Sequence, residues 1–280
     1  MNILTFDIED WYNCDFISED FNWNKYEVRI YDGVGRILDE LAKRNQKGTF
    51  FCLGWLAEHH PSIIKRIADE GHQVGCHSYQ HELATRFTPE QFREDTYRSK
   101  SLIQNVIGKE VDVFRAPGFS ITENNPWALE VLVELGFKSD CSIFPAHHDY
   151  GGMPNYGKGE PAILKCGDVI IKEFPINIHS LLGKNLVFSG GGFFRLFPYS
   201  IIKYWGKETD YMMCYLHPRD FDKGQPMVKS LPLKRKFKSY VGIGGAFAKF
   251  QRLLSDFEFM NVGEADSIID WSKAKTIVLK

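Results

Sequence analysis

The sequence predicts an α/β fold: a TIM-like barrel of seven or eight β/α units, formed as one domain over residues 1–280. Short apolar runs alternate with longer amphipathic ones along the whole chain, the pattern of a largely parallel sheet. No low-complexity linker or composition break interrupts that alternation. The third observation is positional. Acids, histidines and an arginine follow directly after several apolar runs, and in a parallel barrel such strand ends share one face. An open doubly wound sheet is the competing architecture, but no glycine-rich phosphate loop follows the first strand.

Residues 3–6 form an apolar strand that stops at acids. Val34, Ile37, Leu38 and Leu41 recur at helical spacing within 33–45, and 49–53 follow as a strand. Pro61 opens a helix from its favoured first turn, Gly71 closes it, and 72–77 make the next strand. Thr88-Pro89-Glu90-Gln91 has the pattern of a capping box, starting a helix that runs to Gly108. A strand at 111–114, a helix at 126–135 closed by Gly136, and a strand at 137–141 come next. Strands at 169–174 and 211–216 and helices at 198–206 and 245–257 follow, with 221–280 completing the barrel.

Composition narrows the function. With 44% hydrophobic and 25% charged residues the chain can bury a sizeable core. A net charge of −2 argues against a nucleic-acid binder. Cys14, Cys52, Cys76, Cys141, Cys166 and Cys214 show no CxxC spacing and are expected as buried thiols of a reducing compartment. The chain is acidic by Asp7, lacks signal-peptide features, and has no run near the ~20 apolar residues that span a bilayer. The expectation is a cytoplasmic protein.

His77-Ser78-Tyr79-Gln80-His81 places two imidazoles four residues apart. On a helical turn they point the same way and can share one metal ion. Hydrogen-bonded surface histidines are the plain alternative, and placement at a strand end favours ligation. A hydrolytic site adds a carboxylate and leaves one position open for water. Asp7-Ile8-Glu9-Asp10 supplies candidates: in extended chain Asp7 and Glu9 project to one face and Asp10 to the other. An N-cap or solvated acidic turn is the plain alternative there.

Together with Arg115-Ala116-Pro117-Gly118 and Leu216-His217-Pro218, these strings occur in the order of the motifs of polysaccharide deacetylases. The chain resembles that family, the NodB-homology proteins of carbohydrate esterase family four, over about residues 3–220. The segment from Ser189-Gly190-Gly191-Gly192 to Tyr199 is similar to the subgroup found with exopolysaccharide and lipopolysaccharide assembly genes. The resemblance implies a distorted (β/α) barrel and a metal-dependent removal of N-acetyl groups from amino sugars. It implies one divalent ion, zinc by default with cobalt, nickel or manganese as alternatives. Glu9, His77 and His81 would be its ligands, with Asp10 the alternative carboxylate, because Ile8 stands where many members carry the ligating Asp.

Asp7 would be the general base, Arg115 its orienting partner and His217 the general acid. Pro117, Gly118, Phe119 and Tyr79 would shape the substrate site, a backbone N–H near Tyr79 would stabilise the oxyanion, and Asp140 would assist Arg115 or His217. The implied substrate is an N-acetylated glycan or a lipid- or nucleotide-linked sugar precursor. A same-fold amidohydrolase acting on a formamido sugar or ureide, and an inactive carbohydrate-binding relative, are the competing functions.

Other signals have plainer readings. His147-His148-Asp149 is expected to be a polar loop rather than a second metal site, and His59, His60, His72 and His179 to be structural. Among Trp11, Tyr12, Phe119, Phe193, Phe194 and Phe197, some are candidates to line a glycan groove and most are expected in the core. Gly190-Gly191-Gly192 suits a flexible or tightly turned loop over the cleft. The basic run at 229–238 is expected to be a solvated loop, with an anionic glycan carrier or membrane surface as the alternative partner.

Overall fold

Seven strands run parallel side by side and carry the site at their C-terminal ends. The structure is a computed structural model that describes residues 1–13, 21–181 and 183–279. Its strands are β1 (Asn2–Ile8), β2 (Thr49–Cys52), β3 (Gln73–Cys76), β4 (Val113–Phe114), β5 (Ser139–Asp140), β6 (Ala162–Cys166), β7 (Val169–Glu173), β8 (His179–Leu181), β9 (Lys184–Leu186), β10 (Met212–Leu216) and β11 (Lys275–Leu279). The helices are α1 (Ile30–Lys43), α2 (Gly54–His59), α3 (Pro61–Asp69), α4 (Pro89–Ile107), α5 (Trp127–Glu134), α6 (Gly191–Leu196), α7 (Tyr199–Lys207), α8 (Leu233–Tyr240), α9 (Ile243–Asp256) and α10 (Val262–Ile268).

The main sheet has the order β10-β1-β2-β3-β4-β5-β7-β6-β11, with only β6–β7 antiparallel. The expected α/β barrel is present in distorted form. Between β7 and β10 no ladder is formed among the described residues, and the gap is spanned by 174–177 and 187–190. Phe174 N and Ile176 N donate to the carbonyls of Asp140 and Ile143, both at 2.9 Å. Asn177 Oδ1 accepts from Met213 N at 2.9 Å, and the Ser189 hydroxyl lies 2.9 Å from the same oxygen and 2.8 Å from Met213 O. Backbone bonds thus hold this wall to the β5 side, while the Asn177 and Ser189 side chains and one isolated parallel bridge, Gly190 to Tyr215, hold it to β10.

Local chemistry explains the elements that were foreseen. Val34, Ile37, Leu38 and Leu41 are buried on one face of α1, as their spacing required. Thr88 and Gln91 exchange the two bonds of the capping box, at 2.9 and 3.3 Å, and Gly108 ends α4 at φ 65°. The stretch 221–280 differs from expectation. α9 packs Phe250 against Phe6 of β1, with ring centroids 5.9 Å apart, but β11 pairs with β6 at the far edge of the sheet. Cys52, Cys76, Cys141, Cys166 and Cys214 are buried free thiols, and Cys14 lies outside the described residues. Among the described residues, no helix is long and apolar enough to cross a membrane.

Because Asn177 Oδ1 holds β10 to the opposite wall, Asn177→Ala leaves a buried backbone N–H without its acceptor. The expected loss is about 1–3 kcal/mol, read as a lower urea midpoint at unchanged slope. An unchanged midpoint would place the closure of the barrel elsewhere.

Candidate active site

Arg115 follows β4 and is completely buried. Its guanidinium lies 4.2 Å from the Phe51 ring centroid and 5.5 Å from that of Phe119. Its Nη1 donates to Thr5 Oγ1 and Asp7 Oδ1, both at 2.8 Å, and its Nε to the Cys141 carbonyl at 3.1 Å. The backbone carbonyl of the same residue accepts from His77 Nδ1 at 2.8 Å. A carbonyl cannot donate, so Nδ1 carries the proton and Nε2 presents its lone pair. That Nε2 is buried and has no hydrogen-bond partner among the described residues.

The lone pair faces Glu9. Glu9 Oε1 lies 3.6 Å from His77 Nε2 and 3.2 Å from His81 Nε2. Burial pushes the Glu9 carboxyl up, but His81, His77 and His217 around it carry it well below the usual carboxylate range. Ligand atoms of Glu9, His77 and His81 lie within 4.8 Å of one another. Two imidazoles and one carboxylate at this spacing suit a divalent ion with an open position, and the orphaned Nε2 is the atom such an ion would satisfy. Asp7, Glu9 and His217 also fall within 4.8 Å. That set is the poorer donor group, because Asp7 is already bound by a cation and His217 favours its charged form.

The raised pKa of His217 has a local cause. Burial works against it, but Asp220 accepts from both His217 Nδ1 (3.0 Å) and His217 N (2.8 Å), and with Glu9 and Asp7 raises its pKa to about 9. Asp220 Oδ1 in turn lies 2.8 Å from Arg195 Nε. Against the effect of burial, Arg195 and His217 hold the Asp220 carboxyl down at about 2. His217 Nε2 is 3.8 Å from Asp7 Oδ2 and 3.7 Å from Glu9 Oε1. Asp220 and Arg195 were not anticipated. The signal was present in His217-Pro218-Arg219-Asp220, whose spacing lets the carboxylate turn back onto the histidine.

Several expectations are corrected. The segment from His77 to His81 is a loop rather than a helical turn, with Ser78 at φ 63° and His81 at φ 59°. It is pinned from outside the site: Gly54 N and Trp55 N at the start of α2 donate to the Ser78 and Tyr79 carbonyls, and Ser99 Oγ donates to Ser78 O. Tyr79 N donates to Asp95 Oδ2 at 2.9 Å, so it is not an oxyanion donor. The Tyr79 side chain does not line the cleft; its hydroxyl donates to Glu58 and its ring lies under Arg98 at 3.7 Å. Asp10 is not a ligand either. Its carboxylate accepts from Trp11 N, Arg29 N and Ile30 N at 2.7, 2.7 and 2.9 Å and holds the start of α1.

Asp140 accepts from Ser142 Oγ and faces Glu173, and among the described residues it hydrogen-bonds neither Arg115 nor His217. Burial raises both carboxyls of this pair. Pro117 is buried behind the cleft, whereas Gly118 and Phe119 line it, with Gly118 at φ 61° and Phe119 at φ 52°. Two successive left-handed residues turn the Phe119 ring onto Tyr215, at 4.9 Å.

The cleft measures about 620 Å³ and also takes in Phe193, Gly191 and Gly192. Gly190 starts α6 against the Tyr215 ring, where a Cβ would not fit. Trp11, Tyr12 and Phe194 are core residues, and Phe197 packs partly buried against the core. His148 sits among Phe119, Phe144 and Tyr150, and Asp149 pairs with Lys238 at 2.8 Å, so among the described residues 147–149 form no metal group. His59 and His179 stack on Trp55 and Trp205, His60 faces Tyr31, and His72 accepts from Gly48 N. The basic run at 229–238, expected as a loop, contains α8, and Lys234, Arg235 and Lys238 line the cleft.

Residues 4–139 match the polysaccharide deacetylase family model, and residues 141–266 match a domain of unknown function, DUF3473. A peptidoglycan-N-acetylglucosamine deacetylase of Bacillus cereus is 38% identical over 116 residues, 39% of this chain and 42% of that protein. The peptidoglycan-N-acetylmuramic acid deacetylase PdaA of Bacillus subtilis is 33% identical over 104 residues, covering 37% of this chain and 39% of the relative. Matches to these relatives thus span less than half of their length. The crystal structure of a putative polysaccharide deacetylase from Mycobacterium smegmatis superposes with a TM-score of 0.66 at 20% identity, covering 99% of this chain and 92% of that one. A CE4 family pseudoenzyme from Bacillus anthracis superposes at 0.51 with 13% identity, over 94% of this chain and 64% of the other.

Removing the Asp220 charge by Asp220→Asn is expected to lower the His217 pKa from about 9 by roughly one unit or more, followed by NMR titration of the histidine Cε1–H. The folded value lies above the unfolded one, so the pair stabilises the fold fully below pH ~6.5. That contribution is lost as pH rises through about 9. An unchanged titration in the variant would remove Asp220 as the cause.

Proposed function

We propose that this chain, a relative of the polysaccharide deacetylases through residues 4–139, is a metal-dependent hydrolase that removes the N-acetyl group from an amino sugar of a surface glycan or its precursor. One observation carries the reading. A donor set of two imidazoles and a carboxylate lies between a carboxylate fixed by Arg115 and a charged histidine fixed by Asp220.

Glu9, His77 and His81 would hold the ion, with zinc the default for this donor set. When bound, it supplies Lewis acidity toward the attacking water and the amide carbonyl. The chain's own groups divide the proton transfers. Arg115 occupies Asp7 Oδ1, which leaves Oδ2 turned toward His217 and able to accept the proton of water as its oxygen bonds to the carbonyl carbon. The C–N bond then breaks. An amine cannot leave as an anion, so Nε2 of His217 donates its proton to the departing nitrogen, while Asp220 holds Nδ1–H and Arg195 holds Asp220. Acetate and the free amino sugar are the products.

Phe119, Phe193 and Tyr215 line the cleft, where aromatic surfaces suit the apolar faces of a sugar ring. The relatives named above act on peptidoglycan by name, and the 189–199 segment resembles the surface-polysaccharide subgroup, so both glycan classes belong in the substrate screen. A formamido sugar or ureide would use the same groups and is separated by that screen. Five buried free thiols support a reducing compartment, and we assign the protein to the cytoplasm.

Purified protein is expected to hold close to one equivalent of a divalent ion by elemental mass spectrometry, and His81→Ala to lose it. Asp7→Asn and His217→Ala are expected to keep most of the metal and to release acetate from N-acetylated glycans ~10²–10⁴-fold more slowly. Metal content unchanged in His81→Ala would remove the ligand assignment; full turnover in Asp7→Asn would remove the base.

A further inference from the structure

We propose that α8 and the facing end of α6 form a docking surface for an anionic lipid membrane, set at the rim of the active-site cleft. α8 has eight residues and buries none of them. Leu233 is 84% exposed and Phe237, one turn later on the same face, is 58% exposed. Met227 (61%) precedes them, and Leu196 (48%) and Phe193 (38%) come from α6. Phe193, Leu196 and Phe237 all line the one cleft, so these side chains share a rim. Large apolar groups gathered at one place on a surface need a partner.

Charge identifies that partner. Lys223, Lys229, Lys234, Arg235, Lys236, Lys238, Lys249 and Arg252 fall within residues 223–255, which contain no aspartate or glutamate. The segment carries +8 in a chain of net −2, so the remaining residues together carry −10. Among the described residues, Asp149 faces α8 and pairs with Lys238. Cations around exposed Leu and Phe on a short helix are the features of an interfacial helix on anionic lipid. An acidic glycan would satisfy the lysines and leave Leu233 in water. A second copy joined through the same face would bring two strongly basic surfaces together.

The surface is held in place. Tyr240 Oη accepts from Val228 N at 2.9 Å and lies 3.1 Å from Pro226 O, closing the loop before α8. At the other end Arg195 donates to the carbonyls of Lys238 (2.9 Å), Ser239 (2.8 Å) and Val241 (3.1 Å). Lys234, Arg235 and Lys238 line the cleft itself, so a membrane bound here meets the cleft mouth. Docking does not require the hydrolase reading; only the conclusion that the membrane presents an N-acetylated, lipid-held glycan to the site rests on it.

The full-length protein is to be sedimented with vesicles of phosphatidylcholine alone or mixed with phosphatidylglycerol. Binding is expected to the mixed vesicles, to fall with added salt, and to weaken by on the order of tenfold or more in Lys234→Glu/Lys236→Glu. Leu233→Trp, at a site too exposed to disturb folding, is expected to show a blue-shifted emission on those vesicles. Equal binding to both vesicle types, charge-reversed protein that sediments like wild type, or unshifted Trp emission would overturn the proposal. So would a concentration-dependent dimer in sedimentation velocity that Leu233→Asp abolishes, because a second copy would then own the face. None of these readouts involves metal content or turnover, so failure here is distinct from failure of the hydrolase reading.

Discussion

The site depends on one buried guanidinium. Arg115 reaches Thr5 and Asp7 of β1 with its side chain and orients His77 with its main-chain carbonyl. One residue therefore fixes the carboxylate that would accept a proton and the tautomer of an imidazole that would bind metal. Removing an arginine buried this deeply leaves Asp7 uncompensated in a medium that solvates charge poorly. It also frees the strand end that carries the His77 carbonyl contact. Phe51 and Phe119 cover the guanidinium faces, so its place is set by packing as well as by charge.

The proposed acid side is built from the other half of the chain. Asp7, Glu9, His77, His81 and Arg115 lie within residues 4–139, whereas Arg195, His217 and Asp220 lie within 141–266. The two segments meet where β10 pairs with β1, in the register Phe6↔Leu216, which brings His217 beside Asp7 and Glu9. Neither segment alone has both the proposed proton acceptor and the proposed proton donor. Their shared ladder is what gives the cleft two chemically different sides.

Much of this was legible in the sequence because parallel strands end together. Asp7, His77, Arg115 and His217 each follow an apolar run, and pairing those runs in parallel was enough to predict that they converge. The order of the motifs supplied the proposed roles. What stayed hidden were the contacts that depend on loop geometry. Tyr79 N could not be assigned to Asp95 without knowing that α4 passes behind the histidine loop, and Asp10 could not be separated from Glu9 until α1 was seen to start against it. α8 was missed for a different reason: it buries nothing, and Leu233 and Phe237, one turn apart among basic residues, make too short an apolar stripe to mark a helix. The wall made by Asn177 and Ser189 has no strand pattern to read.

Asp140 shows where reasoning from strand ends overreaches. It ends β5 as Arg115 follows β4, so position alone suggests a role in the site. Burial and a second carboxyl decide otherwise. Glu173 at the end of neighbouring β7 faces it, and two carboxyls this close in a dry interior cannot both stay ionised at little cost. Both are pushed toward their protonated forms, and Ile143 N and Ser142 Oγ supply the donors that the remaining oxygens need. The pair then serves the fold, linking β5 to β7 beneath the cleft near the wall that lacks a ladder. Strand ends in a parallel barrel gather polar side chains whatever their use. Which of them do chemistry is set by whether a cation, a neutral hydrogen-bond donor or another acid stands opposite.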